Sequence, residues 1–255
     1  MNAREMQREF ERRLILMNPE FELKEKLTSD TIFSFLNAYT LRYIRNNYLQ
    51  EDETPDGTRA LKKTQDALKG LIVRALLEKE ERDAMNTDIY SDKFILPSDY
   101  FLYIRSNSKV SHTYKGKVAP LVIPDGAETK NSPSFRYTQT VPNKSIREDN
   151  VEKIISCYYN RAILPQPYVV LNSGEASDDS ENVYLNVIHD TYTVIDNVDL
   201  VYYRQPKKFD VIGVDGVNVL DHCELPENVH MEIVEGAIEM FITEAKYRLN
   251  MKQDN

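Results

Sequence analysis

Residues 61–85 read "LKKTQDALKGLIVRALLEKEERDAM", and the reading of this stretch decides what the first third of the chain is. Leu61, Leu68, Leu71, Ile72, Ala75 and Leu76 recur at helical spacing behind a capping Thr58, and the run ends in the charged "EKEERD" near Met85. That pattern predicts an amphipathic helix.

Upstream, Met6, Phe10, Leu14 and Met17 are spaced four, four and three apart, which lays them on one helical face over residues 3–17. Ile32, Phe35, Leu36, Tyr39, Tyr43 and Ile44 repeat the pattern over 29–49, with Ser29 or Asp30 as the N-cap. Between this helix and Thr58, "QEDETPDG" (50–57) carries Pro55 and the Asp56-Gly57 turn pair and reads as a loop. Three helices are therefore predicted within residues 1–90.

Downstream the character changes. Of 16 tyrosines, 12 lie between Tyr90 and Tyr203, and short β-branched and aromatic runs alternate with turn signals. Strands are predicted at 100–105, 109–115, 118–123, 168–171, 183–189, 192–195 and 198–204, with a further candidate at 209–214. Residues 145–160 are more helical, with Val151, Ile154, Ile155 and Tyr158 on one side, and 172–182 is an acidic loop. Near the C-terminus, "HCELPENVH" (222–230) leads into a helical stripe of Val229, Ile233, Ala237, Ile238, Phe241, Ala245 and Leu249, with Pro226 suited to the first helical position. The expected fold class is α+β: a bundle of N-terminal helices (1–90) closed by a C-terminal helix (222–255), with a β-rich insertion (91–221) between them.

Composition narrows the functional classes. A net charge of −9 disfavours gripping nucleic acid through its phosphates. No stretch approaches the apolar length of a membrane span, and the charged "MNAREMQREFERR" is no signal peptide, so no membrane partner and synthesis in the cytoplasm are expected. Two cysteines, Cys157 and Cys223, give no disulfide framework and are expected as reduced thiols.

Candidate chemistry is sparse. His222, Cys223 and His230 lie within nine residues but offer neither a CxxC nor an HxxxH spacing, and His189 is remote in sequence, so no metal is expected. Asp178, Asp179 and Glu181 lack the spacing of a calcium loop. Gly116-Lys117 is followed by Val118 rather than Ser or Thr, and no dinucleotide, nucleophile-elbow or zinc-protease motif occurs, so neither a cofactor nor catalytic residues are expected. Glu232, Glu235 and Glu239 stand three and four residues apart and make one negative stripe on the last helix. Such a stripe is an ordinary solvated face or, more sharply, a wall that faces DNA without holding it. Tyrosines combine apolar area with a polar tip, which suits subunit contacts as well as a core.

The segments "FILPSDYFLYI" (94–104), "ILPQPYVVL" (163–171), "VYLNVIHDTYTVIDNVDLVYYRQPKKFDVI" (183–212) and "CELPENVHMEIVEGAIEMFI" (223–242), preceded by the three helices, resemble structural proteins of crAss-like and related tailed phages. They are similar in particular to the neck ring, or head-to-tail adaptor, proteins of the tail tubular protein A class. The resemblance implies a non-enzymatic virion protein, assembled in the host bacterial cytoplasm, of which about twelve copies close a ring below the portal. Its implied partners are other copies of itself, the portal protein, the adjacent neck or tail ring protein, and genomic DNA passing through the lumen without specific binding. Residues 106–140 and 172–182, read as loops, are the expected contact regions. Two other readings stand beside this one: a tail tube or hub component, and a soluble enzyme whose site is assembled from dispersed acidic and histidine residues.

Overall fold

Ile72–Ala84, the second half of the opening stretch, is a β-strand, and this overturns the expected helical bundle with a β-rich insertion. In the computed structural model the described residues are 1–17, 27–49, 66–85, 89–115, 134–156, 166–173, 183–190, 193–210 and 223–253. The dominant element among them is an eight-stranded sheet: β1 (Ile72–Ala84), β2 (Ile89–Ile95), β3 (Tyr100–Lys115), β4 (Ser134–Pro142), β5 (Lys144–Ser145), β6 (Tyr168–Ser173), β7 (Val183–Asp190) and β8 (Thr193–Arg204). The helices whose bounds lie within the described residues are α1 (Ala3–Met17), α2 (Ser29–Leu49), the short α3 (Val151–Ser156) and α4 (Glu227–Gln253), with 3₁₀ turns at Lys69–Leu71 and Glu148–Asn150. Of the predicted third N-terminal helix, residues 66–68 are helical and run into a 3₁₀ turn, Ile72–Ala84 is strand instead, and the part before residue 66 lies outside the described residues.

The chain divides into two compact units, Met1–Leu71 with Gln205–Asn255, and Ile72–Arg204. In the second, the strand order is β4-β3-β8-β1-β2-β7-β6-β5. Every pairing from β4 to β6 is antiparallel, whereas β5 pairs parallel with β6. Six reversals bring β6 back to the direction of β4, so β5 runs the same way as β4 and continues it. Only Asn143 separates them, a step of at most about 7 Å between flanking Cα atoms. One interrupted strand thus lies at both edges, and the sheet curls into a nearly closed, barrel-like form.

The closure is pinned at one residue. The Asn143 backbone N–H donates to the Ser106 carbonyl (3.0 Å), and its side-chain amide donates to Ser106 Oγ (2.9 Å), which also meets the Tyr103 hydroxyl (2.9 Å). Beyond the seam, Lys144 and Ile146 donate to Pro167 and Val169. The interior is filled from every side of the curl, with Leu77, Phe94, Val110, Val141, Val169, Leu185, Val198 and Leu200 in one buried cluster. Val141 and Val169 stand on the strands next to the seam, so their sharing one core is the packing counterpart of closure. On the outer face Ile89, Val170 and Ile188 form a second cluster, against which Ile146 and Val151 pack.

In the first unit the helical periodicities hold. Met6, Phe10 and Leu14 are buried along α1, as are Ile32, Leu36 and Ile44 on α2 and Val229, Ile233, Ala237 and Ile238 on α4. Phe241 makes T-shaped contacts with Phe10 and Phe35, at 6.1 and 5.3 Å between centroids. Asn2 and Glu5 make a reciprocal capping box at the start of α1. The first turn of α2 is capped by Thr28, one residue earlier than Ser29, through Thr31 N–H to Thr28 Oγ1 (3.3 Å).

Other expectations are adjusted. Within the expected loop region 106–140, residues 106–115 belong to β3 and residues 134–140 to β4, while 116–133 lie outside the described residues. Asn172 and Ser173 belong to β6, and among the described residues of 145–160 the α-helix covers Val151–Ser156, with 157–160 outside the described residues. The predictions at 118–123, 174–182 and 211–214 lie outside the described residues, as does His222. Strand β2 carried no expectation.

Candidate functional site

The strongest concentration of ionisable groups is inside the barrel, at the end where β1 leaves and β2 enters. It begins with a β-bulge. Lys79 faces Phe94, but the next pairs are Glu81 with Lys93 and Arg82 with Asp92, so Glu80 is an extra residue. An unbroken ladder would set Glu81 against Asp92. The insertion turns Lys79 and Arg82 to the same interior face as Asp92, and leaves Glu81 and Asp83 outside around Lys93 (3.4 and 2.7 Å). One residue thus sorts six charges into complementary sets.

Asp92 has no exposed side-chain surface. Its Oδ2 lies 2.7 Å from Lys79 Nζ and 3.1 Å from His189 Nε2, and its Oδ1 accepts from Arg82 Nε at 2.8 Å. The His189 contact is at ion-pair distance but off the direction of a ring N–H bond, so it is electrostatic rather than a directed hydrogen bond. His189 Nδ1 is 2.7 Å from the Asp190 carbonyl. Tyr90 faces His189 across the β2–β7 ladder and stacks on it at 6.1 Å, and the Arg82 guanidinium lies 5.3 Å from the centre of the Tyr90 ring. Burial alone pushes the Asp92 carboxyl up, but contacts with His189, Arg82 and Lys79 outweigh it and hold the group well below the usual carboxylate range. Asp92 stays ionised and fully engaged, which makes the cluster an internal ionic plug rather than a poised acid or base.

The residues singled out in the sequence fall elsewhere. His230 is buried at the start of α4, with Nδ1 2.9 Å from the Met1 nitrogen and Nε2 2.7 Å from the Leu225 carbonyl. Burial leads the lowering of its pKa, aided by the Met1 ammonium and opposed by the Leu225 bond. Cys223 is half-buried, and burial raises its thiol pKa. His189 belongs to the barrel cluster and does not join them. Among the described residues, no three of His, Cys, Asp and Glu come together as metal ligands.

Glu232, Glu235 and Glu239 share one face of α4, and the structure gives them different surroundings. Glu235 is ion-paired with Arg13 of α1. Glu232 and Glu239 are exposed and flank Tyr39 of α2, whose pKa is raised by its burial and then by these two carboxylates. The Tyr39 ring lies across Gly236: a Cβ there would be 1.9 Å from Tyr39 Cζ. Only glycine lets the ring settle between the two acids.

The outer face of the barrel has its own character. On β1, Ile72, Arg74, Leu76, Glu78 and Glu80 point outward, and Leu76 is 64% exposed. Two shallow hollows meet at Leu76, one floored by Arg74, Asn107, Lys109 and Asp199, the other reaching Ile95 and Pro97. Arg74 and Asp199 are bound through both guanidinium arms, with Nε to Oδ1 at 2.6 Å.

No protein-family model matches the chain, and no curated protein matches it.

Proposed function

We propose that the chain is a structural virion protein that forms a ring in the neck of a tailed phage, below the portal, joining capsid to tail and continuing the DNA channel. The observation that carries this reading is the aliphatic outer face of the barrel: Leu76 at 64% exposure, with Ile72 and Ile95 each 39% exposed. Exposed aliphatic side chains next to charged ones on a rigid sheet are the raw material of a subunit contact. A second support is the resemblance of residues 163–171, 183–212 and 223–242 to neck ring proteins. The internal ion cluster also favours it, because a carboxylate held by Lys79 and Arg82 serves shape rather than turnover. The test is electron microscopy of the purified chain, alone and mixed with the portal protein of the same phage. Rings, or a collar added to the portal, are the expected result. Small particles indifferent to the portal would remove the neck reading.

A further inference from the structure

The two exposed faces described above are complementary. On the barrel, Arg74 of β1 and Arg105 of β3 both stand opposite Val201 of the intervening β8. They are therefore neighbours across two strand spacings, about 9.6 Å apart at the backbone. Leu76 lies one outward position along from Arg74, and Asp199 holds the Arg74 guanidinium edge-on while the Arg74 side chain stays 71% exposed. On the helical unit, Glu232 and Glu239 are two turns apart on α4, about 10.5 Å at the backbone. The Tyr39 ring lies between them, over Gly236. An aromatic ring between two exposed carboxylates suits a guanidinium stacked on the ring and bonded at its edge.

We propose that in the assembled protein the Tyr39, Glu232 and Glu239 face of one copy receives the Arg74, Leu76 and Arg105 face of the next. The inference rests on the assembly part of the neck reading and goes beyond it by naming the contact. The two faces differ, so the contact is heterologous, the kind of contact that builds a ring when its rotation closes. Glu232 and Glu239 are then a subunit contact instead of a channel wall.

Charge reversal tests it, because every copy carries both faces. Glu232→Lys with Glu239→Lys should weaken assembly about tenfold or more, measured by sedimentation velocity and by collar occupancy on the portal. Arg105→Glu, which leaves the Arg74–Asp199 pair intact, should do the same. The three substitutions combined in one chain should recover much of the loss, since the opposed charges are exchanged rather than removed. Circular dichroism and urea midpoints check that each variant folds; Glu232→Gln with Glu239→Gln is the milder fallback, expected to weaken assembly less. Assembly that forms and ignores every substitution overturns this contact and leaves the neck reading standing. Absence of assembly with or without the portal overturns both.

Discussion

Arg82 stands directly opposite Asp92 across the β1–β2 ladder because Glu80 is inserted as a bulge. Deleting Glu80 should leave an unbroken ladder that keeps Glu81 opposite Lys93 and Arg82 opposite Asp92, and should therefore cost far less than removing the buried carboxylate. Substituting Asp92 by Ala leaves Lys79 and Arg82 facing one another without their counter-ion. A loss of about 3–5 kcal/mol is expected, the usual result of removing one partner from a buried ionic group. Urea unfolding of the natural chain, the deletion and Asp92→Ala checks both, and a deletion as costly as Asp92→Ala would refute this register.

The same carboxylate sets an acid limit. Its native pKa is depressed below the unfolded value of 3.8, so its contribution is present above about pH 4 and fades as pH falls further toward the native value. Denaturant midpoints between pH 2 and 6 should drop steeply at the acid end in the natural chain. In Asp92→Asn that part of the drop should be shallower.

His230 acts in a different window. Its native pKa is lowered from 6.5, chiefly by burial, so the neutral ring is the one that fits. Its contribution is complete above about pH 6.5 and declines as pH falls through the lowered native value. Stability measured from pH 7.5 to pH 5 should fall in the natural chain and flatten in His230→Gln. An unchanged slope would show that His230 is not the group responsible.

Gly236 is required by Tyr39. In an isolated helix, Gly to Ala is worth about 1 kcal/mol of stabilisation. Here the added carbon would enter the Tyr39 ring, and overpacking of this kind costs about 1–3 kcal/mol. Gly236→Ala should therefore be neutral or destabilising in the natural chain and stabilising in a Tyr39→Ala background. A thermal double-mutant cycle reads this change of sign.

At the barrel seam, Asn143→Ala removes the bond from the side-chain amide to Ser106 Oγ while sparing the backbone bond. The expected loss is about 1 kcal/mol. Amide exchange at Lys144 and Ile146, whose N–H groups close the barrel, should quicken before the rest of the sheet does. Uniform acceleration across all strands would place the seam within the global unfolding unit instead.

Much of this architecture is written in local pattern. The spacing of Met6, Phe10 and Leu14, and of Val229, Ile233 and Ala237, determines helices because only one face of each can be buried. The β-branched alternation of 183–204 similarly marks β7 and β8. The run from Ile72 to Asp83 is different. Its apolar half fits either a helical or a strand period, and its charged half resembles a helix laced with i,i+4 pairs, so nothing local separates the two. Tertiary pairing decided it: β8 on one side and β2 on the other supply the backbone partners, and the bulge at Glu80 delivers Lys79 and Arg82 to Asp92. His189 joins that cluster across 97 residues of chain, and Arg74 and Arg105 become neighbours only by flanking Val201. Periodicity reports which face of an element is buried, whereas the meeting of charges from distant segments depends on strand order and register, which exist only once the sheet has closed.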